Sequence, residues 1–209
     1  MHQNPHFTET DLTILHPLMS QAGLAHLVTA TSEGPIATPL PLYLAADEGD
    51  QGVIYGHMAR QNLQWQTPFT GEALAIFMGS DAYVSPNYYA SKSEHHKVVP
   101  TWNYQAIHAY GVPEFFDEPE RLLDVVTRLT TRHEASQTFP WQVSDAPKDY
   151  IDALLRGIVG IRLPISRLLG QMKMSQNKSL ADRQAVIKGL SHSQWASDRE
   201  AARNIAINE

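Results

Sequence analysis

The chain has 209 residues, a formal net charge of −6, 43% hydrophobic and 18% charged side chains, and no cysteine. That length and apolar content suit a folded domain with a substantial core, and exclude a disordered polyelectrolyte. The missing cysteine removes disulfides, thiolate metal sites and cysteine nucleophiles. The acidic balance argues against a broad nucleic-acid-binding surface, which needs Lys and Arg to neutralise phosphates.

The start, Met1-His2-Gln3-Asn4-Pro5-His6, lacks the basic and apolar regions of a signal peptide. No apolar run is long enough to span a bilayer, so the expectation is a cytoplasmic protein with no membrane partner. Thr8–Ala22 reads as a helix capped by Thr8, with Leu12, Leu15, Leu18, Met19 and Ala22 on one face and Pro17 kinking or shortening it. Leu24–Thr31 is strand-like, Ser32-Glu33-Gly34-Pro35 is a turn, and Ile36–Leu44 resumes strand character. Pro39 and Pro41 confine that last strand to an edge or a bulge. A hairpin connection at 47–52 leads into Val53-Ile54-Tyr55, which reads as a strand ending at Gly56, followed by a short polar helix opener carrying Arg60. A helix N-terminus beside an arginine can hold a phosphate, although many such junctions bind nothing.

Further strands are expected over Glu72–Met78, with Tyr83-Val84-Ser85 continuing after a bend, and over Ile107–Val112. The pattern then becomes helical over Glu118–Glu134 and again over Asp145–Arg156, where Asp145 suits the cap and Pro147 the first turn. Strands return at Ile158–Leu163 and Leu168–Met174, followed by a polar helix near Ala181–Leu190. The division expected is one domain over 1–190, with helices inserted at about 118–156, and a tail or helix over 191–209. Many short strands with helices inserted late indicate a mainly β, α+β chain: a small antiparallel barrel with helical additions.

Several ordered segments carry a resemblance. They are Pro5-His6-Phe7, Gly56-His57-Met58-Ala59-Arg60-Gln61-Asn62, Tyr83-Val84-Ser85-Pro86-Asn87-Tyr88-Tyr89 and Val99-Pro100-Thr101-Trp102-Asn103-Tyr104. His108-Ala109-Tyr110-Gly111, Arg132-His133-Glu134, Pro140-Trp141, Lys173-Met174-Ser175-Gln176-Asn177 and Asp182-Arg183 follow. Together they resemble the PaiB-type FMN-binding proteins, the FMN-binding negative transcriptional regulators of the split-barrel flavoprotein superfamily. The resemblance implies an antiparallel six-stranded split β-barrel, a homodimer, and FMN at each end of the subunit interface. The chain departs from the usual pattern at Pro39, where histidine is usual, at Leu63, where proline is common, and at Gln171, which replaces lysine.

On that resemblance the cofactor-binding residues are Thr38, His57, Ala59, Arg60, Asn62, Trp102, Asn103, Lys173, Ser175, Gln176 and Asn177. Arg60 offers a fork of donors to the phosphate, the Ala59–Asn62 backbone a helix start, and His57 and Thr38 shorter contacts. Lys173 reaches a phosphate or the flavin edge, Gln176 and Asn177 suit the ring's acceptors and N–H, and Trp102 and Asn103 supply an aromatic wall and an amide. Tyr83, Ser85, Tyr88 and Tyr89 are expected at the dimer interface.

The ten histidines do not make a metal site at sequence level. His95-His96 are adjacent and point apart, and Gln137 stands where a helical zinc motif after His133-Glu134 needs a second histidine. No Gly-x-Ser-x-Gly elbow, P-loop or dinucleotide glycine motif occurs, and no catalytic residue is nominated. The leading expectation is a flavin-loaded regulator acting on DNA or a regulatory protein. The alternative is an FMN-dependent oxidoreductase using NAD(P)H or a small electron acceptor. A haem-binding relative with His57, His108 or His133 as axial ligand is weaker, because the Arg60 segment argues for a phosphate.

Overall fold

The computed structural model describes residues 1–2 and 4–206; positions 207–209 of the expected tail, and Gln3, lie outside them. The chain runs β1 (Thr8–Glu9), α1 (Leu12–Gln21), β2 (Ala25–Thr31), β3 (Gly34–Leu40), β4 (Leu42–Ala45), β5 (Val53–Ala59) and β6 (Ala73–Val84). There follow α2 (Lys92–His95), β7 (Thr101–Gly111), β8 (Glu114–Phe116), α3 (Pro119–Glu134), α4 (Lys148–Leu155), β9 (Ile158–Pro164), β10 (Arg167–Lys173), α5 (Leu180–Ser191) and α6 (Ala196–Arg203). Short 3₁₀ turns occupy Leu63–Trp65, Pro86–Tyr88 and Val143–Asp145. The strands form a six-stranded sheet, ordered β1-β10-β7-β6-β2-β3, and a four-stranded sheet, ordered β4-β5-β9-β8. Every pair of defined register is antiparallel. This is the split-barrel architecture, with sheets that do not close into a cylinder.

Several boundaries differ from expectation for local reasons. Thr8 pairs with Gln171 in β1 rather than capping a helix; Asp11 caps α1, its Oδ1 accepting from the Thr13 N–H at 2.8 Å. The helix passes through Pro17, which sits on its exposed side. The expected strand over Ile36–Leu44 is two strands broken at Pro41. β3 forms the edge of one sheet and β4 the edge of the other, which is where prolines can be tolerated.

β5 does not end at Gly56 but runs on to Ala59, paired with β9 throughout. The glycine serves a close approach instead: a Cβ there would lie 2.4 Å from Leu42 Cδ2 and 2.8 Å from the Pro41 carbonyl. β6 continues without a break to Val84, and its inward–outward alternation slips where Met78 and Gly79 are both exposed before buried Ser80. Asp145 closes a capping box with Gln142 on the preceding 3₁₀ turn, so α4 starts only after Pro147. β7 begins at Thr101, earlier than expected, and β8 and α2 are additions that the pattern did not reveal.

By contact density the chain divides into two compact units. The first contains residues 1–15, 78–107 and 169–209. Its core is Ala82, Val84, Tyr89, Met174, Val186, Leu190, Ala201, Ala202 and Ile205. The second contains residues 16–77 and 108–168. There Leu122, Val125 and Leu129 of α3, at helical spacing, pack with Tyr43, Ala45, Phe116 and Leu155. Each such buried aliphatic side chain contributes about 1.5–3 kcal/mol. Arg132 ties α3 to its unit by donating to the carbonyls of Leu42 and Ala22, each at 2.9 Å, and of Ser20. Among the described residues, no helix is long and apolar enough to cross a membrane.

Candidate functional site

The nominated residues fall into two groups, one in each unit. In the second unit, Asn62 caps the 3₁₀ turn Leu63–Trp65, its Oδ1 accepting from the Gln64 N–H at 2.9 Å. That turn drives Gln64 into the interior, where it is 1% exposed. Its Nε2 donates to the Leu27 carbonyl, Thr29 Oγ1 and the Ile36 carbonyl at 3.1, 3.1 and 3.2 Å. Its Oε1 accepts from Thr38 Oγ1 at 2.5 Å, and Thr38 in turn accepts from Asn62 Nδ2 at 2.9 Å. Thr38 has one hydroxyl proton, and here it goes to Gln64. Gln64 therefore organises two nominated residues while stitching the β2–β3 hairpin. A lone glutamine in a polar stretch gave no sequence signal for this.

Arg60 is similarly engaged. Nε donates to the Arg156 carbonyl at 2.8 Å, one terminal nitrogen to the Ile158 carbonyl at 3.2 Å, and the other to Asp117 Oδ2 at 3.2 Å. The guanidinium also lies over the Trp65 ring at 5.9 Å, and Trp65 Nε1 donates to the Arg60 carbonyl. The Ala59–Asn62 backbone, expected to open a helix, forms the end of β5 and a turn, and the 3₁₀ piece after it has three residues. His57 lies on β5 with its Nδ1 buried and unpartnered, and burial lowers its pKa below 6.5. His108 shows the same pattern in the same unit.

In the first unit, β10 delivers Lys173 to a tight turn. Ser175 there adopts a left-handed backbone (φ 63°), unusual for a residue with a Cβ. Asn103 of β7, fully buried, holds it: Asn103 Nδ2 donates to Ser175 Oγ at 3.0 Å and Ser175 Oγ donates back to Oδ1 at 3.1 Å. These two contacts share one hydroxyl as donor and acceptor. Gln176 folds onto its own strand, accepting from the Met174 N–H at 2.6 Å and donating to the Met172 carbonyl. Lys173 Nζ donates to Thr101 Oγ1 and, at 2.5 Å, to the Trp102 carbonyl. Burial, aided by nearby Lys178, lowers the Lys173 pKa.

Ser179 then caps α5 by accepting from the Asp182 N–H at 3.2 Å. The Asp182 carboxylate reaches across to Ser91, accepting from its N–H and its hydroxyl at 2.9 Å each. Burial alone would raise the Asp182 pKa, but the Ser91 and Ser179 hydrogen bonds outweigh it and hold the carboxyl below its ordinary value. The same grip seats Tyr89, two residues before Ser91, at 4% exposure. Trp102 is 53% exposed and meets Tyr83, 46% exposed, edge to face at 6.0 Å.

Residues 1–167 match the family model described as "Putative FMN-binding domain". The chain belongs to the PaiB-type FMN-binding family. A curated relative in Emericella nidulans, "Uncharacterized protein AN0679", is 33% identical, with 87% of this chain and 87% of the relative covered. "Protease synthase and sporulation protein PAI 2" of Bacillus subtilis is 29% identical, covering 94% and 92%. Among solved structures, the flavocytochrome Anf3 of Azotobacter vinelandii shares the fold at a TM-score of 0.57 and 11% identity, over 82% of this chain and 72% of that one. The PaiB-type family cofactor is FMN. The donor chemistry here fits it: FMN presents a dianionic phosphate, and the first unit holds a partly buried lysine with hydroxyl and amide groups and no carboxylate paired to that lysine among the described residues.

Proposed function

We infer that this PaiB-type protein is an FMN-loaded homodimeric negative regulator of transcription, cytoplasmic, acting through DNA or a regulatory protein. The observation that carries the reading is the match to the FMN-binding family over residues 1–167, joined to a relative named for protease synthesis and sporulation. Bound FMN supplies reversible one- and two-electron chemistry. The chain's part is to hold that group and to change its surface with occupancy.

The exposed Trp102–Tyr83 pair, with Met78 at 48% exposure, supplies apolar aromatic area of the kind that anchors subunit contacts. Lys173, Asn103, Ser175 and Asn177 are the cofactor-facing residues of the first unit in this reading. Thr38, Asn62, His57, Ala59 and Arg60 form the polar segment of the second, with Gln176 securing the turn after β10.

Two measurements test it. The purified protein should show a flavin absorption spectrum or take up added FMN, and should sediment as a dimer. A titration with promoter-sized DNA at low and moderate salt then separates the partners: electrostatic recognition weakens steeply with salt. No binding even at low salt removes direct DNA recognition and leaves the protein partner. Steady NADH or NADPH oxidation by the loaded protein would replace the regulator with the oxidoreductase.

A further inference from the structure

The turn after β10 borders a partly open cavity of about 120 Å³ in the first unit, lined by Tyr89, Thr101, Asn103, Lys173, Asn177 and Lys178 among others. That is several times the roughly 30 Å³ a water molecule occupies in the liquid. The Tyr89 hydroxyl is buried and has no hydrogen-bond partner among the described residues. A buried hydroxyl left unpaired is costly, so such an atom marks either a defect or a place for a ligand. Lys173 has three ammonium protons and two acceptors among the described residues, which leaves one proton over. Lys178 lies 5.0 Å from the Tyr89 ring centroid, over its face. Asp182, whose charge also interacts with Lys178, accepts hydrogen bonds from the Ser91 N–H and hydroxyl. Two cations, an unpaired hydroxyl and side-chain amides thus meet at one small cavity.

We propose that this pocket is an oxyanion site, sized for a tetrahedral phosphate-like group and bound by Lys173, Lys178 and the Tyr89 hydroxyl. The group is either the phosphate of FMN or a free inorganic oxyanion. Identifying it with the cofactor rests on the FMN reading above; binding of a free oxyanion does not. The ion supplies acceptors only, which is what every unsatisfied group here requires. Asn177 donates from the turn, and Thr101 keeps Lys173 aimed by accepting one of its protons.

The test uses the full chain in phosphate-free buffer, with FMN, riboflavin and inorganic phosphate as probes. Flavin binding is read by fluorescence quenching and phosphate binding by ³¹P line broadening. Tyr89→Phe removes one unpaired oxygen and should leave the fold intact; Lys173→Met removes the partly buried cation. Either variant should weaken phosphate-dependent binding, at least tenfold for Lys173→Met and several-fold for Tyr89→Phe. Loss of the preference for FMN over riboflavin assigns the pocket to the cofactor's phosphate. An intact preference with lost inorganic phosphate binding assigns it to a separate oxyanion. If both folded variants bind FMN and phosphate as the parent does, the proposal is overturned. A parent protein that takes up no flavin refutes the FMN reading alone, and the phosphate arm still decides the pocket. Should Lys173→Met fail to fold, Tyr89→Phe carries the test.

Discussion

Arg60 and Lys173 are the two cations that the sequence marks for an anion, and the structure treats them in opposite ways. Arg60 donates to two backbone carbonyls and a carboxylate, so its charge is engaged in holding the start of β9 to the end of β5. Lys173 is tethered by a neutral hydroxyl and a carbonyl, pairs with no carboxylate among the described residues, and lines a partly open cavity. A cation is available to a ligand only when its own protein has not already neutralised it. A matching motif identifies the cation, and only its surroundings reveal whether it is free.

The strongest way to break this contrast is at Gln64, which makes the second unit's polar cluster a structural one. Gln64→Leu leaves the Leu27 and Ile36 carbonyls and two threonine hydroxyls without their amide partner. We expect a loss of about 2–4 kcal/mol in urea unfolding. A loss below about 1 kcal/mol would mean that the cluster does not hold the β2–β3 hairpin, freeing Thr38 and Asn62 for ligand contacts. Arg60→Ala comes next, at about 1–3 kcal/mol, since charged donors to carbonyls are lost from a partly exposed site. Its flavin affinity should stay within about threefold of the parent, equivalent to less than about 0.7 kcal/mol. A tenfold loss of FMN binding with unchanged stability would place the phosphate at Arg60.

The contrast between the two units also marks how far the sequence was legible. Periodicity located α3, β2, β9, β10 and α5 within a few residues, because each buries a regular face. Ordered motifs identified the family and its cofactor. What failed was reading a glycine as a strand end: Gly56 is required by the close approach of Leu42 and Pro41, a tertiary fact with no local signature. Pro39 and Pro41 rightly confine their region to an edge, but the sequence does not show that Pro41 is where the chain passes from one sheet to the other. Tyr89 and Lys178 were missed as pocket residues because long-range packing, through Asp182 and Ser91, brings them together.

The turn that builds the first unit's pocket can be probed at Ser175. Glycine ordinarily costs stability relative to alanine, but at φ 63° the preference inverts, because alanine's Cβ is strained there. Both Ser175→Ala and Ser175→Gly lose the bonds to buried Asn103. The glycine variant should nevertheless be the more stable of the two by about 1 kcal/mol. Equal stabilities would show that the left-handed turn is not fixed, and the cavity behind it would lose its definition.

The finest distinction between the two regions lies in their response to acid. In the second unit, burial lowers the pKa values of His57 and His108 below the ordinary 6.5. As pH falls through about 6.5, the unfolded chain takes up these protons while the folded protein resists them, so stability declines on acidification. In the first unit, the lowered Asp182 contributes stability that is complete above its ordinary 3.8 and is lost as pH falls through its depressed folded value. The thermal midpoint should therefore fall in two windows, the first set by the histidines and the second by Asp182. Replacing His57 and His108 by Gln should flatten the slope between pH 7 and the acid range while leaving the lower window in place; Asp182→Asn should do the reverse. If the double histidine variant keeps the parent's slope near neutrality, the buried Nδ1 atoms are not proton-refusing groups in solution. They would then be reached by water or by a bound partner that satisfies them.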